Sequence, residues 1–151
     1  MDKKEITFQD LGLSEAMLKA LEKKGYGYPT TIQAEAIPHF MEWKDVIAKA
    51  PTGTGKTMAF GIPIIERIDP ESEAVQAVIL APTRELAMQI TDEMREVAVC
   101  HEGVRLVCLY GGQPIGKQII QKIEDQIIAH YANQGYRVEF VDLETLIEQQ
   151  A

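Results

Sequence analysis

No apolar run in the sequence approaches the roughly 18 residues that a membrane span needs, and Met1-Asp2-Lys3-Lys4-Glu5 lacks the apolar stretch of a secretory leader. No membrane partner is therefore expected, and the cytoplasm is the expected compartment. Cysteine is scarce. Cys100 and Cys108 are the two present, without metal-ligand spacing, and their apolar neighbours predict buried thiols kept reduced. His39, His101 and His130 are scattered through the chain and form no motif, so surface or helix-flanking positions are expected for all three. Positive charge is also in short supply: 15 Lys and Arg face 23 Asp and Glu, a net charge of −8. Proteins that hold nucleic acid by bulk electrostatics are usually basic, so any RNA contact must be local and weak. Repeats, low-complexity tracts and long linkers are absent, and 151 residues fit one domain, given a usual span of about 100–200 residues.

What is present is an alternation of patterns. Ser14 reads as a helix N-cap, with Met17, Leu18 and Leu21 on one stripe that stops at Gly25. Pro29-Thr30-Thr31 opens a second helix bearing Ala34, Ile37, Phe40 and Met41 on one face. Residues 45–50 predict a strand, 56–67 a helix, and 75–81 a nearly unbroken apolar strand. Leu86, Ile90, Met94 and Val97 mark the next helix, and 104–109 another strand. A long amphipathic helix with Ile120, Ile123, Ile127 and Tyr131 follows, then a strand at 137–141 and a short helix with Leu143, Leu146 and Ile147. Strands alternating with helices predict an α/β fold with a mainly parallel sheet covered on both faces, a three-layer sandwich.

Between the strand at 45–50 and the helix at 56–67 stands Ala50-Pro51-Thr52-Gly53-Thr54-Gly55-Lys56-Thr57. Small residues let backbone N–H groups close around phosphates, and the following helix N-terminus adds positive dipole. In such a loop Lys56 pairs with the β- and γ-phosphates and the Thr57 hydroxyl ligates Mg²⁺. Ala50 stands where the strict pattern has its first glycine. Alone, Gly-Thr-Gly-Lys-Thr also suits a helix-capping turn; its place between a strand and an amphipathic helix favours a phosphate loop.

Upstream lies Gly25-Tyr26-Gly27-Tyr28-Pro29-Thr30-Thr31-Ile32-Gln33, with Phe8 seventeen residues before Gly25. This constellation resembles the Q motif of DEAD-box RNA helicases. The phosphate loop resembles that family's motif I, including its Ala start. Pro82-Thr83-Arg84-Glu85-Leu86 is similar to motif Ia, and Gly111-Gly112 to the GG motif. The resemblance covers residues 8–117 and implies a P-loop, RecA-like fold that binds ATP or ADP with Mg²⁺. It implies that Gln33 reads adenine, Tyr26 packs on the base and Phe8 props the loop. Pro51, Thr52, Gly53, Thr54, Gly55, Lys56 and Thr57 would hold the phosphates, and Pro82, Thr83, Arg84, Gly111 and Gly112 the backbone of single-stranded RNA. The residue chemistry agrees: a Gln amide both donates and accepts, aromatic rings stack on bases, and an Arg in a helix's first turn suits phosphate. A surface Gln, an ordinary helix start and a plain glycine turn are the simpler alternatives for Gln33, Arg84 and Gly111-Gly112.

After Lys117 the resemblance ends. The family's Asp-Glu-Ala-Asp and Ser-Ala-Thr do not occur in the sequence, nor does its second domain. Residues 118–151 are expected to form a helix-strand-helix tail, so the domain of 1–151 is truncated or rearranged relative to the family. In this tail Asp142 and Glu144 follow an apolar strand as a Walker B acid would. Glu139, however, interrupts the strand, which then reads as an edge strand with Asp142 as the N-cap of the last helix. Three functions compete: a nucleotide-binding domain with little or no turnover, a residual ATPase using Asp142 or Glu144, and a chimeric or designed scaffold whose phosphate loop has no enzymatic role.

Overall fold

A computed structural model of the chain describes residues 5–110 and 117–135. They fall into two compact units, residues 5–72 with Ile79–Cys108, and Glu73–Val78 with 109–110 and 117–135.

In the first unit a 3₁₀ turn, Phe8–Leu11, leads into four helices: α1 Glu15–Lys23, α2 Thr31–Met41, α3 Lys56–Arg67 and α4 Arg84–Ala98. Their ends follow from local chemistry. The Ser14 hydroxyl accepts the Met17 N–H at 3.2 Å and starts α1. Gly25, at φ 78°, ends it, with Gly25 N–H bonded to Glu22 O and Tyr26 N–H to Leu21 O. That paired arrangement is the Schellman motif, which needs a left-handed residue and so favours glycine. Thr83 caps α4, its hydroxyl accepting the Leu86 N–H at 3.2 Å. The four predicted helices of this unit are all found, and α3 has the predicted bounds.

Met17, Leu21, Ile37, Ile62, Ile65 and Val97 are its largest fully buried side chains. They come from α1, α2, α3 and α4, whose apolar stripes meet: α2 and α4 pack on α3, α1 packs on α4, and the 3₁₀ turn packs on α2. Val104, Leu106 and Ala81 are half-buried against this core.

The second unit contains α5, Lys117–Ala132, the predicted long amphipathic helix. Ile123 and Ile127 on its stripe are half-buried, while Tyr131 is exposed. Val75 N–H donates to Gln126 Oε1 at 2.6 Å and ties the short segment of this unit to the helix.

The predicted strands at 45–50, 75–81 and 104–109 are corrected: no strand forms among the described residues. From Val104 to Tyr110 burial alternates residue by residue, as in a half-covered strand. Yet Val107 is 57% exposed, Leu80 90% and Ile47 fully. An apolar run locates a strand, but the strand exists only when a neighbour pairs its N–H and C=O groups. That pairing is non-local, and it does not form among the described residues. The strand at 137–141 and the helix with Leu143, Leu146 and Ile147 lie outside the described residues. No described helix is long and apolar enough to cross a membrane.

Candidate functional site

The segment Pro51–Gly55 runs directly into the first turn of α3. Gly53 and Gly55 have φ of 79° and 83°, the left-handed region that costs a side-chain-bearing residue about 1–2 kcal/mol. Such bends interleaved with right-handed residues turn successive N–H groups toward one concave side. The Thr54 hydroxyl donates to Pro51 O at 2.6 Å and closes the loop on itself. Lys56, the first residue of α3, is exposed, and Thr57 is half-buried. The first N–H groups of a helix have no intrahelical acceptor and carry the positive end of its dipole. A methyl group at Gly53 would meet nothing within 4 Å, so there is open space over the loop. These residues fit a polyphosphate, with Lys56 as the neighbouring cation.

Gln33 is joined to this loop. It lies in the first turn of α2 and is 3% exposed. Its Oε1 accepts the Thr30 N–H at 3.0 Å, and its Nε2 donates to Gly55 O at 3.1 Å. Gly55 O also accepts the first intrahelical N–H of α3, from Ala59, at 3.2 Å. A primary amide has two donors and two lone pairs, so these two bonds leave one N–H and one lone pair of Gln33 for another partner. Tyr26 is 39% exposed just past the Schellman turn, while Phe8 is 3% exposed in the 3₁₀ turn that packs on α2. Gln33, Gly55 and Lys56 thus meet at one place, and Phe8 supports α2 from beneath.

Pro82, Thr83 and Arg84 form the exposed start of α4. Gly111, Gly112, Asp142 and Glu144 lie outside the described residues. Among the described residues no group of three His, Cys, Asp or Glu gathers as a metal site. Cys100 and Cys108 are half-buried free thiols rather than fully buried ones, because each belongs to a segment covered on one side only.

His101 takes the helix-flanking place of the two expected, in the turn after α4, where its N–H bonds Ala98 O. Its side chain is 15% exposed and its Nε2 lies 3.0 Å from Glu66 Oε1. The residue sequence reasoning missed is Glu66. Its signal was available: Ala59, Ile62 and Glu66 share one face at helical spacing, so Glu66 falls on the buried stripe of α3.

Comparison with known proteins agrees with the motifs. The profile of the DEAD/DEAH box helicase family matches residues 30–141. The DEAD-box ATP-dependent RNA helicase CshA of Bacillus cereus is 48% identical over 113 residues, 75% of this chain and 21% of that protein. The chain therefore spans about a fifth of the length of the curated relatives it matches. Among solved structures, a DEAD box protein from the hyperthermophile Methanococcus jannaschii is 32% identical with a TM-score of 0.67, covering 92% of this chain and 39% of that one. Dbp5 of S. cerevisiae, solved bound to RNA and ADP BeF3, is 30% identical with a TM-score of 0.63, covering 72% of this chain and 29% of its own.

Proposed function

The chain belongs to the DEAD/DEAH box helicase family, and from that premise we propose that it is an adenine-nucleotide-binding, RecA-like module whose phosphate loop holds ATP or ADP with Mg²⁺. The observation that carries the reading is the junction of Gln33 with the loop. One side chain of α2 is bonded to the carbonyl that opens α3, so base recognition and phosphate binding are built into one piece.

In this reading the loop N–H groups from Thr52 to Gly55 and the first turn of α3 hold the phosphate oxygens, and Lys56 neutralises their charge. Thr57 would hold Mg²⁺ through its hydroxyl, and the ion would supply neutralising charge to the phosphates. Gln33 offers its remaining N–H and lone pair to the adenine edge, and the exposed ring of Tyr26 packs on the base. Pro82, Thr83 and Arg84, with Gly111 and Gly112, give a local and weak contact to single-stranded RNA, against a net charge of −8.

Titration calorimetry with ADP and Mg²⁺ tests the reading. Wild type should bind, and Lys56→Ala should lose binding because it removes the side-chain cation at the start of α3. Equal affinity in the two proteins would refute the phosphate-site assignment.

A further inference from the structure

Glu66 is a carboxylate in a position that helix periodicity reserves for an apolar side chain. Its side chain is 6% exposed, and an unpartnered carboxylate so placed costs several kcal/mol. Three donors meet it instead. The Ser14 N–H donates to Oε2 at 2.9 Å, the Ser14 hydroxyl to Oε1 at 2.6 Å, and His101 Nε2 lies 3.0 Å from Oε1. Ser14 Oγ and His101 Nε2 are themselves 3.4 Å apart. The other ring nitrogen, Nδ1, is buried with no hydrogen-bond partner among the described residues, so the ring is oriented from its Nε2 side. The cluster joins the N-cap of α1, the last turn of α3 and the turn after α4.

This cluster closes a ring of contacts. Helix α3 is bonded at its first residues to Gln33, through Gly55 O, and at its last turn to Ser14, through Glu66. Ser14 follows the segment that carries Phe8, the Phe8 turn packs on α2, and α2 carries Gln33. A Ser-Glu-His set of this kind is not a nucleophilic triad. The acid sits on the same ring nitrogen that faces the serine, so no nitrogen is left to take the hydroxyl proton while the acid orients the ring. Its geometry is that of a clamp.

We infer that Glu66 is a positioning residue for base recognition: by clamping Ser14 it fixes the Phe8 turn under α2 and so holds Gln33 at the adenine edge. The inference rests on the reading of Gln33 as the base-recognising residue. Loss of the clamp frees the Phe8 turn, and α2 then loses a support without any change in the phosphate loop itself. The signature is a loss of base preference with phosphate affinity intact, which a general loss of stability does not produce.

The test uses Glu66→Gln and, separately, Ser14→Ala in the 151-residue chain, at a temperature far below each variant's melting point. Calorimetry measures ADP, GDP and inorganic pyrophosphate, the last as a probe without a base. One lost hydrogen bond of about 1 kcal/mol corresponds to about a fivefold change in affinity. The ADP-over-GDP preference should fall by about that factor in both variants, with pyrophosphate affinity unchanged. An unchanged preference overturns the inference, and so does a parallel fall in pyrophosphate affinity, which would make the clamp a support of the whole helix. Gln33→Ala is the reference arm. If it keeps the ADP preference, the assignment of Gln33 fails; if it loses the preference while Glu66→Gln keeps it, the Glu66 inference alone fails.

Discussion

Alanine at Gly55 and alanine at Gly53 separate backbone strain from the contact with Gln33. Both glycines are left-handed, with φ of 83° and 79°, so each substitution carries a backbone cost of about 1–2 kcal/mol. At Gly53 that is the whole cost, since a methyl group there meets nothing within 4 Å. At Gly55 the methyl group runs into Gln33 Nε2, with Gln33 Cδ at 3.1 Å and Thr30 Oγ1 at 3.2 Å. Gln33 must then swing away and give up its bonds to Thr30 N–H and Gly55 O, each contributing about 1 kcal/mol. Gly55→Ala should therefore be less stable than Gly53→Ala by about 2 kcal/mol, a melting point lower by about 4–8 °C for a chain of this size. Scanning calorimetry reads this directly. Gln33→Ala, added to Gly55→Ala, removes the obstacle, so the double variant should cost less than the sum of the singles. Equal melting points for Gly53→Ala and Gly55→Ala would refute the reasoning, because they would mean that Gln33 does not hold the loop.

The remaining predictions use other parts of the molecule. Ile62, at 0% exposure in the middle of α3, should lose about 2–5 kcal/mol on replacement by alanine, measured by urea unfolding. Trp43 has φ 59° and an exposed ring beneath the Arg67 guanidinium, 4.5 Å from its centroid. Trp43→Gly should therefore be more stable than Trp43→Ala by about 1 kcal/mol, since both lose the ring but glycine alone relieves the left-handed backbone. The 151 residues contain no Asp-Glu-Ala-Asp, the acidic pair that would place Mg²⁺ and the attacking water in such reactions. Phosphate release by this chain, with or without RNA, should therefore match that of Lys56→Ala; turnover that vanished in Asp142→Asn or Glu144→Gln would instead make the tail a working acidic strand.

Helices were legible because their determinants are local. Ser14 and Thr83 cap the helices they were placed to cap or precede, Gly25 ends α1, and α3 begins at Lys56, where a glycine-rich loop hands over to an amphipathic stretch whose buried face runs on through Gly61 and Pro63. The glycine-rich loop before α3 was legible for the same reason, as a contiguous motif. The strands were not, although their apolar runs were conspicuous, because a strand is defined by a neighbour that the run does not name. Val104–Tyr110 keeps the burial rhythm of a strand without forming one among the described residues.

Pairings over long sequence distance were the other blind spot, and they carry the site. Gln33 and Gly55 are 22 positions apart, Ser14 and Glu66 52. No local pattern announces either pair. Gln33 could be singled out because it sits inside a recognisable motif, whereas Glu66 and His101 belong to none. Yet Glu66 obeys a physical rule readable beforehand: a carboxylate on the buried stripe of an amphipathic helix must find donors elsewhere in the fold. An acid on the wrong face is thus a prediction of an unseen partner, and here that partner turned out to be a helix cap and a helix-flanking histidine. The two pairs sit at opposite ends of α3. Gly55 O ties the start of α3 to α2, and Glu66 ties its last turn to the cap of α1.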